Sequence, residues 1–217
     1  MQERIARGMK WGRAALLACA ALSACSHKGD RPKDAAAAAL AANWHAQVTD
    51  NDRDRLRRWR DAWLAALPQA KTADAGAVAR EGELFDPDRA LADAMPPAGA
   101  YRCRIFKLGA STPASKGFTS YPDRNCRIDS GAGVMTFRAL DGPQRPVGRL
   151  YKDGASRAVF LGTLVLTDET RPLDYSLDTT RDMIGYVERV GPQRWRLVFP
   201  WPHFESLVDV VELTPAS

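Results

Sequence analysis

Apolar and polar positions change their rhythm once along this chain, near residue 98. Before that point the spacing is helical. Leu56, Trp59, Trp63, Leu64 and Leu67 recur at intervals of three and four and form one apolar stripe. Thr49 or Asp50 supplies a candidate N-cap, and Pro68 is expected to stop the run. The other face carries Arg53, Arg55, Arg57, Arg58 and Arg60 with Asp54 and Asp61. It reads first as a solvated face and second as a surface for anionic lipid head groups. A shorter helix is expected from Asp86, with Pro87 in its first turn, ended by Pro96-Pro97.

After residue 98 the period is two. Tyr101–Leu108 alternates basic and apolar side chains, and further strands are expected over Asn125–Asp129, Gly133–Leu140, Pro146–Tyr151, Arg157–Thr167, Met183–Val190, Arg194–Phe199 and Leu207–Thr214. Gly131, Asp141-Gly142, Asp153-Gly154 and Gly191-Pro192 mark tight turns between them. About eight short strands without intervening helices predict an antiparallel meander, and closure into a small β-barrel removes its exposed edges. Arg157–Thr167 is nearly all apolar, as a central strand buried on both sides would be, with Gly162 as a place to bend. The fold class expected is α+β: N-terminal helices followed by this β-meander.

Composition changes the picture at the N-terminus. The chain of 217 residues has a net charge of +5 and a pI near 9.2. Arg4, Arg7, Lys10 and Arg13 against Glu3 place +3 of that in residues 1–24, leaving +2 for the rest. The basicity is therefore no argument for nucleic acid. The same 24 residues form a signal peptide: a basic start, an apolar run from Ala14 to Leu22, and a small-residue site. The run is too short for a membrane span, which needs about 20 residues. Leu22-Ser23-Ala24-Cys25 has the pattern of a lipobox, so Cys25 is expected to carry lipid and to be the link to the membrane. The competing reading is an ordinary secreted protein with an incidental Cys25. Ser26, rather than Asp, favours the outer membrane, with the domain in the periplasm. Residues 25–40 would be the lipidated Cys and a tether, and 41–217 a single domain, helical over 41–97 and β over 98–217.

Cys103 and Cys126 then remain, and in an oxidising compartment they are expected to pair. Metal binding is the alternative, but Cys-x-x-Cys is absent and no His is near in sequence. No cofactor or metal site is expected, since three histidines at His27, His45 and His203 do not assemble a ligand set.

The familiar catalytic signatures are missing. Asp178-Thr179-Thr180 lacks the glycine of an aspartic-protease loop. Pro200–Ser206 is a stiff aromatic connection containing Trp201, His203 and Glu205; it either plugs a barrel end or uses the His and carboxylate to move protons or hold an anion. Arg145, between Gln144 and Pro146, either binds loop carbonyls or presents its fork to an anion. Arg181-Asp182 reads as an ion pair fixing a strand entrance rather than a catalytic pair. Arg102 and Arg104 share one side of a strand and lie either in a basic lumen or in solvent.

Tyr101-Arg102-Cys103-Arg104, Lys107-Leu108-Gly109, Gln144-Arg145, Val159–Thr163, Arg181-Asp182 with Gly185, Arg194–Leu197, Pro200–Ser206, Val211-Glu212-Leu213 and the Leu56–Leu67 helix carry a further signal. In this combination the chain resembles a bacterial family catalogued only as domain of unknown function 4893. The resemblance implies an exported helix-then-strand unit of alphaproteobacteria and no activity. Members often have Ser where this chain has Pro143, which argues against a nucleophile there.

Three functions follow as expectations. A binding module for a small ligand or an envelope protein would show an open apolar lumen. A structural envelope protein would show a filled core and a large exposed apolar patch. An envelope-acting hydrolase would bring His203, Glu205 and Arg145 together.

Overall fold

The chain enters its helical part through one capped turn. In the computed structural model, which describes residues 43–131 and 133–216, Trp44–Ala46 forms a short 3-10 turn and Thr49 caps α1, Asp50–Arg57. The Asp52 N–H donates to Thr49 Oγ1 at 3.3 Å. The signal peptide, Cys25 and the tether lie outside the described residues. At Arg58 the backbone leaves helical geometry, and α2 then runs from Trp59 to Glu81.

Three expectations fail here. Pro68 does not end the helix, because it lies on the solvent face and water can serve the carbonyl it leaves unpaired. The bend comes instead at Asp74, at φ −157° and ψ 85°, where the Asp74 carboxylate accepts the Ala77 N–H at 2.8 Å and caps the following turns. Leu64 is 61% exposed and off the buried stripe, which is made by Ala62, Trp63, Ala66 and Ala70. The helix expected from Asp86 is also absent. A 3-10 turn at Gly82–Phe85 leads into irregular chain whose carbonyls at Leu84, Asp86 and Arg89 are taken by the Arg196 guanidinium. With those acceptors satisfied from the barrel, an intrahelical ladder has no advantage there.

Nine strands follow: β1 Gly99–Ala110, β2 Phe118–Ser120, β3 Arg124–Gly131, β4 Val134–Ala139, β5 Gln144–Lys152, β6 Ala158–Leu166, β7 Asp182–Gly191, β8 Arg194–Pro200 and β9 Ser206–Pro215. Neighbours pair antiparallel in sequence order from β3 to β9, β1 joins β3, and β1 also pairs with β9. Eight strands thus close into a barrel, as expected, and β2 is an extra strand along the upper half of β1. The Cys103–Cys126 disulfide forms and ties β1 to β3 inside the barrel.

Alternation divides each strand between two cores. Inward side chains include Tyr101, Cys103, Ile128, Phe137, Phe160, Trp195, Leu197, Phe199 and Leu213, so the lumen is filled. The rings of Phe137 and Phe199 meet Phe160 edge-on at 6.1 and 5.3 Å. Glycine makes the room. Gly148 and Gly162 are directly paired, and a Cβ on Gly162 would fall 2.2 Å from the Val147 carbonyl oxygen. Outward, α2 packs on Phe106, Leu108, Val198, Val208 and Val210, while α1 and the Trp44 turn cover Tyr151, Val159, Leu161 and Ile184. β6 is consequently buried on both faces.

Candidate functional site

Strand direction gathers four connections at one end of the barrel. Ala110 is paired with Ser206, Thr163 with Asp182, and Gln144 with Leu166. The segments 110–124, 139–144, 166–182 and 200–206 therefore share that end, and the Asp153-Gly154 and Gly191-Pro192 turns share the other.

This end is unlike the rest of the molecule in three respects. Thr167, Ser176, Trp201 and Glu205 have positive φ there, four of the five such non-glycine residues among those described. Backbone strain of this kind persists where surrounding structure enforces it and clusters at functional sites. Leu140 (51%), Leu177 (70%) and Phe204 (38%) are exposed there; Leu64 on α2 is the remaining large hydrophobic exposed to this degree. The four segments carry eight acidic and four basic side chains, on a chain whose total charge is +5.

Within the ring lies a narrow cavity of about 40 Å³, lined by inward Ile105, Leu164, Met183 and Phe199 and roofed by Pro202, His203 and Phe204. A recess of about 350 Å³ adjoins it and shares Ile105, Lys107 and Gln144. Lys107 stands on an inward position directly opposite Asp209. Its Nζ reaches Asp209 Oδ2 at 3.2 Å and Glu205 Oε2 at 3.3 Å. Burial pulls the Lys107 ammonium down, but the Asp209 and Glu205 charges together hold it above the usual lysine range. Burial pushes the Asp209 carboxyl up, against the pull of Lys107 and of the Ser206 hydroxyl that donates to it.

The second polar group joins α1 to the loops. Asp52 and Arg55 are both buried; Arg55 Nε donates to Asp52 Oδ1 at 3.0 Å and Nη2 pairs with the same oxygen. The remaining Arg55 donors hold the chain itself, reaching the Asp182 carbonyl at 2.9 Å and the Trp201 carbonyl at 3.2 Å. Tyr175 Oη donates to Asp52 Oδ2 at 2.6 Å; burial and then this bond push the phenol well above its usual pKa. Asp182 accepts the Ser176 N–H on Oδ1 at 2.8 Å, whereas its Oδ2 is buried without a hydrogen-bond partner. Burial, then the neighbouring Asp52 and Asp178 charges, raise the Asp182 carboxyl, while the Ser176 N–H and Arg55 pull the other way.

The residues singled out from sequence fall into two sets. His203, Glu205, Arg181 and Asp182 meet at this mouth. Partial burial of the imidazole and then the Arg55 charge hold His203 below the usual histidine range. Trp201 clamps the loop to the helices, its Nε1 donating to the Arg58 carbonyl at 3.1 Å. Arg181 does not pair with Asp182. It pairs with Glu169 and, at 3.3 Å, with Asp178. Arg145 engages the carbonyls of Gly142, Thr167 and Glu169 at 2.6–2.7 Å. Among the described residues no hydrogen bond joins it to His203 or Glu205. Arg102 and Arg104 lie outside the barrel, not in a basic lumen: Arg102 is exposed, and Arg104 pairs with Glu81 and Glu212. Sequence reasoning passed over Asp52, Arg55, Lys107, Tyr175 and Asp209.

Elsewhere, a groove of about 750 Å³ crosses the outer face of β4–β6 beneath segment 172–176, where Arg138 pairs with Asp129. Among the described residues there is no group of three or more His, Cys, Asp or Glu side chains placed to hold a metal, and no helix is long and apolar enough to cross a membrane. A family model described as a domain of unknown function (DUF4893) matches residues 44–213. No curated protein and no solved structure matches the chain.

Proposed function

The chain belongs to the family described as a domain of unknown function (DUF4893), and from that premise, which brings no activity with it, we propose that it is a binding module of the cell envelope that holds a protein partner at the loop end of its barrel. One observation carries this reading: Leu140, Leu177 and Phe204 stand exposed around the mouth on three different connections. Large apolar side chains exposed on three connections at one end of the barrel, with Phe204 over the cavity, are the composition of a docking surface rather than of a solvated loop end. Eight acidic against four basic side chains in the four segments make the complementary partner a basic one. The filled lumen and the cavity of about 40 Å³ argue against a carrier that encloses a bulky apolar ligand. The signal-like residues 1–24 and Cys25 support an anchor that keeps the barrel at a membrane, with the outer membrane favoured by Ser26.

The test uses a photo-crosslinking amino acid at Leu177 and, as a control at the other end, at Lys152, in cells expressing the full chain. A discrete crosslinked protein from position 177 and none from position 152 is the expected result. Equal labelling from both, or none from position 177, would exclude the loop end as the docking site. Metabolic labelling with an alkynyl fatty acid, lost in Cys25→Ser, is the expected sign of the anchor.

A further inference from the structure

We propose that the outer face of β4 and β5 holds the phosphate of a sugar phosphate, seated over Thr136 between the guanidinium groups of Arg138 and Arg149. The site is separate from the loop end and does not depend on the docking reading above.

Barrel alternation fixes where these side chains stand. Met135, Phe137, Ala139 and Leu150 face the interior, so Thr136, Arg138 and Arg149 face outward. Register makes them neighbours. Arg138 is paired with Arg127 on β3, and Thr136 with Asp129 on one side and Arg149 on the other. Directly opposed side chains on one face start about 5 Å apart and diagonal ones about 7–8 Å. Arg138 and Arg149 therefore flank Thr136 within reach of one anion, and all three line the same groove.

Two arginines directly opposed across a strand pair work against the sheet. Asp129 relieves part of this, accepting from Arg127 Nε at 2.6 Å and from Arg138 Nη2 at 2.8 Å. The third cation is left over: Arg149 is exposed, and its guanidinium has no hydrogen bond or ion pair among the described residues. Three guanidinium groups against one carboxylate leave the patch at +2. That is the counterpart of a phosphate monoester ionised past its second pKa of about 6. Nothing shields the patch, since the Arg127 and Arg138 side chains are 51% and 53% exposed. One guanidinium fork serves a planar carboxylate, whereas forks arriving from two strands suit the several oxygens of a tetrahedral anion. The Thr136 hydroxyl between them adds a neutral donor.

The groove supplies room for the sugar. Its volume of about 750 Å³ lies within the range of small-molecule sites, about 300–1,000 Å³. Thr163, outward on β6 and paired with Val147, continues the floor away from Arg138. The opposite wall is segment 172–176, where the Asp174 carboxylate has no partner among the described residues. A carboxylate there accepts from sugar hydroxyls and repels a second phosphate. The groove thus offers one anion-binding end and one hydroxyl-binding end.

The experiment titrates the full chain in detergent micelles by calorimetry with glucose 1-phosphate, inorganic phosphate and glucuronate, at about pH 8, where the phosphates are dianions. Saturable binding of glucose 1-phosphate is expected, with the other two weaker by about tenfold or more. Arg149→Gln should weaken glucose 1-phosphate by about tenfold to a hundredfold, the worth of hydrogen bonds to a charged group. Its thermal melt should match that of the wild type, because the guanidinium supports no other side chain. Lys71→Gln removes the same charge from an exposed position on α2 and should bind as the wild type does. The Thr136 amide of the wild type should shift in NMR as glucose 1-phosphate is added. No saturable binding, binding undiminished in Arg149→Gln, an equal loss in Lys71→Gln, or a stationary Thr136 amide would overturn the site. Inorganic phosphate bound as tightly as glucose 1-phosphate would overturn the sugar, and glucuronate bound as tightly would overturn the phosphate.

Discussion

Glu188 and Arg196 face each other as paired positions on β7 and β8, 2.7 Å apart, and neither side chain reaches solvent. Burial lowers the Arg196 guanidinium and Glu188 draws it back, while the Leu84, Asp86 and Arg89 carbonyls take its other donors. The pair therefore does more than close a barrel seam: it fastens the irregular chain after α2 to the outside of the sheet. Glu188→Gln removes the countercharge and leaves a buried cation, which is expected to lower stability by about 3–5 kcal/mol in urea unfolding. Arg196→Leu should lower it by a similar amount, and in addition raise hydrogen exchange across residues 84–91 specifically. A loss below 1 kcal/mol in Glu188→Gln would mean that the carbonyls alone hold the guanidinium.

The disulfide acts at the first closure of the barrel. Cys103 and Cys126 are 23 residues apart and link β1 to β3, the pairing that the extra strand β2 interrupts in sequence. Removing it in Cys103→Ala/Cys126→Ala should cost roughly 3 kcal/mol through the released chain entropy. The check is the shift in the urea midpoint at unchanged slope; a changed slope would indicate that the bond also compacts the unfolded chain.

Much of this architecture was legible because barrels enforce period two. Once Tyr101, Cys103 and Ile105 point inward, Lys107 must too, and the same rule seats Asp209 with Val211 and Leu213. Read strictly, the alternation points to an inward Lys-Asp pair. It also forbids the expected Arg181–Asp182 ion pair, since neighbouring residues at a strand entrance face opposite ways. The helical pattern puts Arg55 on the solvated face and does not single out Asp52, yet the two form an i, i+3 pair beside Leu56, and all three are buried. What sequence could not reveal was β2, only three residues long, and the fate of residues 86–97, where a helix-like pattern yields to carbonyl acceptors demanded by an arginine more than a hundred residues away. Asp182 as an unpartnered acceptor was likewise out of reach, because it depends on which donors the loops bring near.

Glycine at the barrel wall gives a sharper test of packing. Gly162 faces inward against Gly148, and the Phe160 ring closes over the space that two side chains would need. A methyl group on Gly162 would meet the Val147 carbonyl and the Gly148 backbone, not the yielding tip of a side chain. Gly162→Ala should therefore lose about 3 kcal/mol or more, at the upper end of overpacking penalties. Gly154→Ala at the opposite turn, with no atom within 4 Å but a φ of +98°, is expected to lose less, from backbone strain alone. Thermal melts of the two variants rank the effects, and an equal loss would show that β5 and β6 can separate at no great cost.

Asp182 makes a prediction whose sign is opposite to that of most carboxylates in this protein. Burial, with Asp52 and Asp178 beside it, places its folded-state pKa above the unfolded value. The folded state thus holds a proton that the unfolded chain releases, and the stability this gives is present below the ordinary Asp range and is lost as pH rises through the raised pKa. Asp54, Asp88, Asp129, Glu169 and Asp178 are held below their usual values by arginines or a threonine and work the other way. Their combined effect masks Asp182 in a wild-type pH profile. Comparison with Asp182→Asn isolates it, because the other groups cancel. The variant's stability relative to wild type should rise as pH climbs from about 4 toward neutrality. A relative stability that stays flat with pH would mean that the Arg55 charge and the Ser176 N–H offset the burial of Asp182 in full.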